Sequence, residues 1–299
     1  MSSNPHTNRD VLLRNAYADE QAVTLRYQTH KLYSIPQIDF PSWVLDRHVW
    51  RGDEFALDAG CGPGIYFNGI LSHIPNGKLV SFDLSEGMIR KACMHERAAE
   101  TQLLVGDLQA IPFADATFDV VLANHVLFHV PDFDTTVKEI HRVLKPNGLV
   151  IAATNSHFSM AEFSILMRRA FSLLGHPVKE EEALFNPLQG SFSLENGAVK
   201  LARHFRAVVR HDIPGSFVFS EVQPVINYIA STRAMKEPEL PGDITWDDFM
   251  TVMTDQVRRL INHFGELVVN KLSGALIATD KGGFATDYYN SFDNQPSKP

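Results

Sequence analysis

The chain has 299 residues, 44% of them hydrophobic and 21% charged. This is an ordinary globular composition, large enough to bury a core without staples. A net charge of −8 argues against a surface built to neutralise nucleic-acid phosphates, and two cysteines, Cys61 and Cys93, exclude a disulfide framework or a cysteine-rich metal site. The opening residues are polar, without the apolar core of a signal peptide, and no run of about 18 apolar residues follows, so a cytoplasmic location without a membrane span is expected. Residues 1–50 mix polar and aromatic positions, among them Tyr17, Tyr27, Tyr33 and Phe40, and read as a helical arm or lid rather than a strand. From Glu54 short apolar runs end in acids, glycines or turns: Phe55–Asp58, Leu79–Asp83, Leu103–Asp107, Phe118–Ala123 and Leu149–Thr154. Helical periodicity falls between them at about 65–74, 86–97 and 134–144, and Lys145-Pro146-Asn147-Gly148 stops the last helix. Strands alternating with helices predict an α/β fold with a mostly parallel sheet and helices on both faces. Residues 51–156 form the predicted core. Residues 157–289 complete it with strands at His204–Arg210 and Gly274–Thr279, separated by helical insertions read as a cap over the strand ends. Lys179–Glu182 reads as a solvated charge run, and 290–299 as a disordered tail.

The most informative stretch is Asp58-Ala59-Gly60-Cys61-Gly62-Pro63-Gly64, directly after a strand and before a helix. Glycines there let the backbone turn tightly and approach a ligand. Asp83 ends the next strand, where a carboxylate can accept from both hydroxyls of a ribose, and Asp107 ends the third, where an acid can meet an adenine amino group. A dinucleotide fingerprint would place its third glycine one residue later, and an acid at Asp58 would repel a pyrophosphate. The same acid suits a ligand with a free ammonium, such as S-adenosylmethionine. A dinucleotide and a purely structural turn remain the alternatives.

These segments resemble the class I S-adenosylmethionine-dependent methyltransferases. The resemblance rests on Asp58–Gly64, Asp83, Gly106-Asp107-Leu108-Gln109-Ala110-Ile111-Pro112-Phe113 and Phe118–Asn124. The stretch Ile140-His-Arg-Val-Leu-Lys-Pro-Asn-Gly-Leu149 adds similarity to the branch of ubiquinone, menaquinone and natural-product enzymes. It covers roughly 52–156. It implies a Rossmann-like sheet of seven strands, the last antiparallel. It also implies S-adenosylmethionine as cofactor, S-adenosylhomocysteine as product and no metal. Asp58, Gly60, Cys61, Gly62 and Gly64 would lie at the methionine moiety, Asp83 at the ribose and Asp107 with Leu108 at the adenine, and Leu84, Met88 and Gly106 would also bind the cofactor. Asn124 would lie near the reacting methyl group.

Such a reaction asks the protein to align an acceptor with the S–CH3 bond and exclude water; a base helps only where the acceptor must lose a proton. The candidates follow the fourth strand in Asn124-His125-Val126-Leu127-Phe128-His129. His125 is the better general-base candidate. His129 occupies a position often histidine in the resembling family whatever the acceptor, so packing or hydrogen bonding is expected of it beside a catalytic alternative. The four-residue spacing lacks the glutamate of a zinc motif, so no metal is expected. Tyr27, Tyr33 and His157 are candidate substrate or lid residues, with aromatic packing and a solvated loop as their alternatives. The basic-aromatic stretch Arg26–Ser34 matches no motif. Nucleic-acid methylation of exocyclic amines typically uses Asn/Asp-Pro-Pro-aromatic after the fourth strand, which this chain lacks. The favoured acceptor is therefore a small molecule. A protein or nucleic-acid acceptor, or use of the cofactor without methyl transfer, stand as rivals.

Overall fold

The computed structural model describes residues 7, 20–177 and 191–293. The run Lys179–Glu182 and the tail beyond Asp293 lie outside the described residues. Among those described, eight strands form one sheet: β1 (Ser34–Ile35), β2 (Phe55–Ala59), β3 (Lys78–Asp83), β4 (Thr101–Val105), β5 (Phe118–Leu122), β6 (Leu144–Asn155), β7 (Ala207–Phe219) and β8 (Leu267–Thr279). Their order is β1-β7-β8-β6-β5-β2-β3-β4. The expected seven strands are therefore eight. The additional one is β1, a two-residue strand inside the arm predicted to hold none. It pairs antiparallel with β7, Ser34 opposite Phe217 and Ile35 opposite Ser216. A pairing across about 180 residues leaves no trace in local periodicity.

The chain forms two compact units. One comprises residues 40–154, 192–212 and 274–299 and contains β2 to β6 with the outer parts of β7 and β8. Here β2 pairs parallel with β3 and β5, β3 with β4, and β5 with β6. Leu57, Val121 and Ile151 are fully buried, as expected for strands covered on both faces. The chain runs outward from β2 through β3 to β4, then returns to lay β5 and β6 on the other side. Strand order thus reverses between β2 and β5. With right-handed crossovers, the loops leaving these two strands open a crevice at their carboxyl ends.

Three helices follow α1 (Glu20–Tyr33) and α2 (Phe40–Leu45) through the parallel strands: α3 (Phe67–His73), α4 (Glu86–Ala92) and α5 (Phe133–Val143). The Asp132 carboxylate caps α5 by accepting from Thr135 N, and Val137, Ile140 and Val143 form its buried stripe. After α5 the register jumps from Phe118↔Leu144 to Val120↔Leu149, so the residues between bulge out and Asn147 takes φ +66°. The predicted helix over 86–97 ends at Ala92.

The other unit comprises residues 1–39, 155–191 and 213–273. It holds α1, α6 (Ala161–Leu173) and, beyond α7 (Gly197–Leu201) of the first unit, α8 (Val222–Ala230), α9 (Arg233–Lys236) and α10 (Trp246–Phe264). Phe163, Met167, Val225, Ile229, Phe249 and Val257 pack with Phe217 and Phe219 into its core. Each such side chain contributes about 1.5–3 kcal/mol by leaving water. Among the described residues, no helix is long and apolar enough to cross a membrane.

Both late strands are longer than predicted, and the chain past Asn290 is not a tail throughout. Helix α11 (Phe284–Asp293) runs to Asp293. Phe284 and Tyr288, one turn apart, bury themselves in the first unit's core, and the Tyr288 hydroxyl donates to Arg47 O at 2.7 Å.

Candidate active site

Strand β2 carries Asp58 into the interior and breaks at Gly60. The amides of Gly60 and Cys61 both donate to Phe82 O, at 2.8 and 3.0 Å, which ties the turn to β3. Gly60 has φ +83°, and a Cβ there would come within 2.6 Å of Val126 Cγ2. Gly62 has φ +54°, and a Cβ on it would meet nothing within 4 Å. The turn is thus closed against the β5 loop at Gly60 and open at Gly62. Gly60→Ala combines a left-handed backbone with that clash. It is expected to lower stability by about 1–3 kcal/mol, read as a fall in Tm, and to weaken cofactor binding.

Asp58 is 1% exposed, and its Oδ2 has no hydrogen-bond partner. Burial, with the Asp83 charge adding to it, pushes this carboxyl up to about 7. Asp83 closes β3. Its Oδ2 accepts from Gly62 N at 2.9 Å and its Oδ1 from Ser85 N at 2.8 Å. Burial raises its pKa, and these amide donors oppose the rise. Each carboxylate oxygen keeps a second lone pair to offer. Cys61 is buried in the turn, and burial pushes its thiol well above the ordinary range, so it is no thiolate nucleophile.

The flanking residues fall into place around this acid pair. Ser85 caps α4, accepting from Met88 N, and Met88 is buried while Leu84 is partly exposed. Gly106 N donates to Asp83 O at 3.0 Å, fastening the end of β4 to β3. Asp107 Oδ1 accepts from Gln109 N, and Leu108 is buried. Sequence reasoning missed what holds this loop. Arg142 donates to Ile111 O at 2.9 Å and Phe113 O at 2.8 Å, while Glu139 Oε2 accepts from Ile111 N. The signal was present as an acid and a base three apart on α5, but their loop partners lie about 30 residues away.

At the end of β5, Asn124 Oδ1 accepts from Ala153 N at 3.0 Å, and its buried Nδ2 has no partner. His125 follows at φ +55°, its amide bonded to Ala153 O and its ring 5.4 Å from that of Phe40, a neighbour the sequence did not indicate. Burial pushes its imidazole down to about 4. His129 donates its amide to Val126 O, and its ring lies against Phe128.

The glycine turn, the acids at 58, 83 and 107, Asn124 and His125 all belong to the first unit. Tyr27, Tyr33 and His157 belong to the other. Tyr33 packs its ring 5.0 Å from that of Phe219, Tyr27 is 41% exposed, and His157 lies against Phe158. Among the described residues, no group of three His, Cys, Asp or Glu could hold a metal ion.

Residues 57–152 match the family described as methyltransferase domain. The chain is 37% identical over 121 residues to the demethylmenaquinone methyltransferase of Lactococcus lactis, covering 39% of this chain and 46% of that one. It is 30% identical over 197 residues to the demethylmenaquinone methyltransferase of Geobacillus stearothermophilus, covering 60% and 81%. The matches span about half the length of the first two curated relatives. A solved phosphoethanolamine N-methyltransferase 2 of Haemonchus contortus, in complex with phosphomonomethylethanolamine and S-adenosylhomocysteine, shares the fold. Its TM-score is 0.52 at 16% identity, over 91% of this chain and 60% of that one.

Proposed function

Because the chain belongs to the class I S-adenosylmethionine-dependent methyltransferases, we propose that it methylates a small-molecule acceptor in the cytoplasm. The observation that carries this reading is the buried Asp58 carboxylate beside the glycine turn, one oxygen of which has no partner. A buried acid without a hydrogen-bond partner is costly, and an ammonium group is the ligand feature that relieves it. The rest of the set fits the same cofactor. Asp83 presents acceptor capacity for vicinal hydroxyls, and Asp107 presents it for an exocyclic amine. A pyrophosphate finds two acids, Asp58 and Asp83, at the turn instead of cations.

When bound, S-adenosylmethionine supplies a methyl group already activated on sulfonium. Its leaving group is a neutral thioether, so the reading needs no metal. Asp58 and the turn would hold the methionine end, Asp83 the ribose and Asp107 with Leu108 the adenine, with Leu84, Met88 and Gly106 completing the cofactor site. The Asn124 amide, fixed through Ala153, offers its free Nδ2 to the reacting end. His125 stays neutral at pH 7 and is too weak a base to hold a proton firmly, so it is assigned to hydrogen-bonding the acceptor. His125→Ala is expected to lower kcat about tenfold and leave S-adenosylhomocysteine affinity unchanged. A loss of about a thousandfold would restore it as general base.

Acceptor choice resides in residues outside 57–152, where the family match ends. The two demethylmenaquinone methyltransferases support a small, largely apolar acceptor. The direct test is labelled-methyl transfer into fractionated metabolite pools, read by mass spectrometry. Label in a small organic molecule is expected. Label confined to protein or nucleic acid, or none despite cofactor binding, would overturn the assignment.

A further inference from the structure

The His125 imidazole is not oriented by any hydrogen bond: among the described residues, its ring nitrogens have no partner. A histidine that meets a substrate is ordinarily oriented by a hydrogen bond on its other ring nitrogen. Here the main chain of His125 is held, by the amide bond to Ala153 O and the left-handed turn at φ +55°, and the side chain is not. What meets that side chain is the ring of Phe40, at a centroid distance of 5.4 Å and tilted by 41°. Both residues keep partial exposure, so the pair borders solvent instead of closing into the core. Phe40 is itself fixed. It opens α2 and stacks on Trp43, one turn further on, at 5.7 Å and 20°. The Arg47 guanidinium lies over the Trp43 ring, 5.0 Å from its centroid, and Arg47 Nε donates to Trp43 O at 3.2 Å. Val44 and Leu45 anchor α2 by full burial, and α2 lies so close to α3 that a Cβ on Gly69 would come 2.5 Å from Leu45 Cδ1. Arg47, Trp43, Phe40 and His125 all belong to one unit.

We propose that Phe40 is the positioning residue of His125: packing against its ring takes the place of the missing hydrogen bond and holds the imidazole in one orientation toward the acceptor. Aromatic rings at centroid distances of about 4.5–7 Å prefer defined mutual orientations, so a fixed ring can orient a free one. The same ring keeps water from one face of the imidazole. Burial alone lowers the His125 pKa, to about 4, and no charged neighbour among the described residues acts on it. This role rests on the assignment of His125 to the acceptor. Phe40 acts through the imidazole and not through the acids that would hold the cofactor.

Two measurements on the whole chain test it. The first needs no acceptor: NMR of protein isotope-labelled in its histidine rings, with the His125 signal identified by its loss in His125→Ala. Phe40→Ala is expected to raise the His125 pKa by at least about one unit, as water reaches the ring, and Phe40→Tyr to keep it near the wild type. The second is a cycle of Phe40→Leu, His125→Ala and the double variant, read as the initial rate of labelled-methyl transfer from saturating S-adenosylmethionine into a metabolite extract. Phe40→Leu alone is expected to slow transfer about three- to tenfold and to leave S-adenosylhomocysteine affinity within about twofold. Added to His125→Ala, it should slow transfer by less than about twofold further, because its effect passes through the ring already removed. Where circular dichroism shows that Phe40→Ala does not fold, Phe40→Leu also carries the titration. An unchanged His125 titration in the folded variant, or losses from Phe40→Leu and His125→Ala that multiply, overturns the proposal. No transfer by the wild type, with the titration shifted as expected, overturns the methyl-transfer reading instead and leaves Phe40 in its role toward the imidazole.

Discussion

Asp83→Ala is expected to weaken S-adenosylhomocysteine binding at least about a hundredfold, to the point where calorimetry detects no saturation. The carboxylate has two tasks at once. It accepts from the amides of Gly62 and Ser85, which fixes the glycine turn against the start of α4. In the proposed complex its remaining lone pairs accept from the two ribose hydroxyls. Hydrogen bonds to a charged group are worth about 1.5–3 kcal/mol each, so losing both ribose contacts costs about 3 kcal/mol or more, and every 1.4 kcal/mol is tenfold in Kd. Asp83→Asn keeps the shape and part of the accepting capacity, and should fall between wild type and Asp83→Ala. Full affinity in Asp83→Ala, with the protein folded, would remove the cofactor assignment.

The second large effect belongs to Asp58 and is a pH effect. Its carboxyl is raised from an ordinary 3.8 to about 7, chiefly by burial and secondarily by Asp83. Between those values the native state holds a proton that the unfolded chain has released. The native state therefore binds more protons, and stability falls as pH rises from about 4 to about 7. Above 7 the charged form is buried and the cost is at most about 4 kcal/mol. Asp58→Asn removes this ionisation, so the ligand-free variant is expected to melt above the wild type at pH 8, with the difference shrinking toward pH 5. Cofactor affinity runs the other way. An ammonium pairs with the ionised carboxylate, so S-adenosylhomocysteine should bind wild type about tenfold more tightly at pH 8 than at pH 6, beyond any change shown by Asp58→Asn. The variant carries the ligand's own titration equally, so the comparison isolates Asp58. Parallel pH profiles for the two proteins would show that Asp58 does not meet the ammonium.

What was legible in the chain follows from how local each signal is. The glycine turn, Asp83 and Asp107 sit at the ends of short apolar runs, so their place at the carboxyl edge of a parallel sheet follows from alternation alone. Strand β1 exists only because residues 216 and 217 pair with it, and no property of Ser34-Ile35 announces that. Strands β7 and β8 extend past the predicted runs into polar stretches, β7 across Asp212, Pro214 and Gly215 and β8 across Asn270 and Lys271, where no apolar alternation marks them. The end of α11 was hidden by the polar residues after it, although Phe284 and Tyr288 anchor it. For His125 the residue type was informative and its burial was not. A histidine in water suits general-base work near neutrality, whereas one packed beside Phe40 in a left-handed turn does not.

The two units also have a consequence for how this chain can be cut and recombined. Each is assembled from three separate stretches, and the backbone passes from one to the other five times, near residues 39, 154, 191, 212 and 273. No single truncation yields either unit whole, and no single crossover grafts one onto a relative. An intact proteolytic half is therefore not expected, and a nick near residue 154, 191 or 212 leaves each unit with stretches on both fragments. Moving this second unit to a related chain requires transferring residues 1–39, 155–191 and 213–273 together, with five junctions in all.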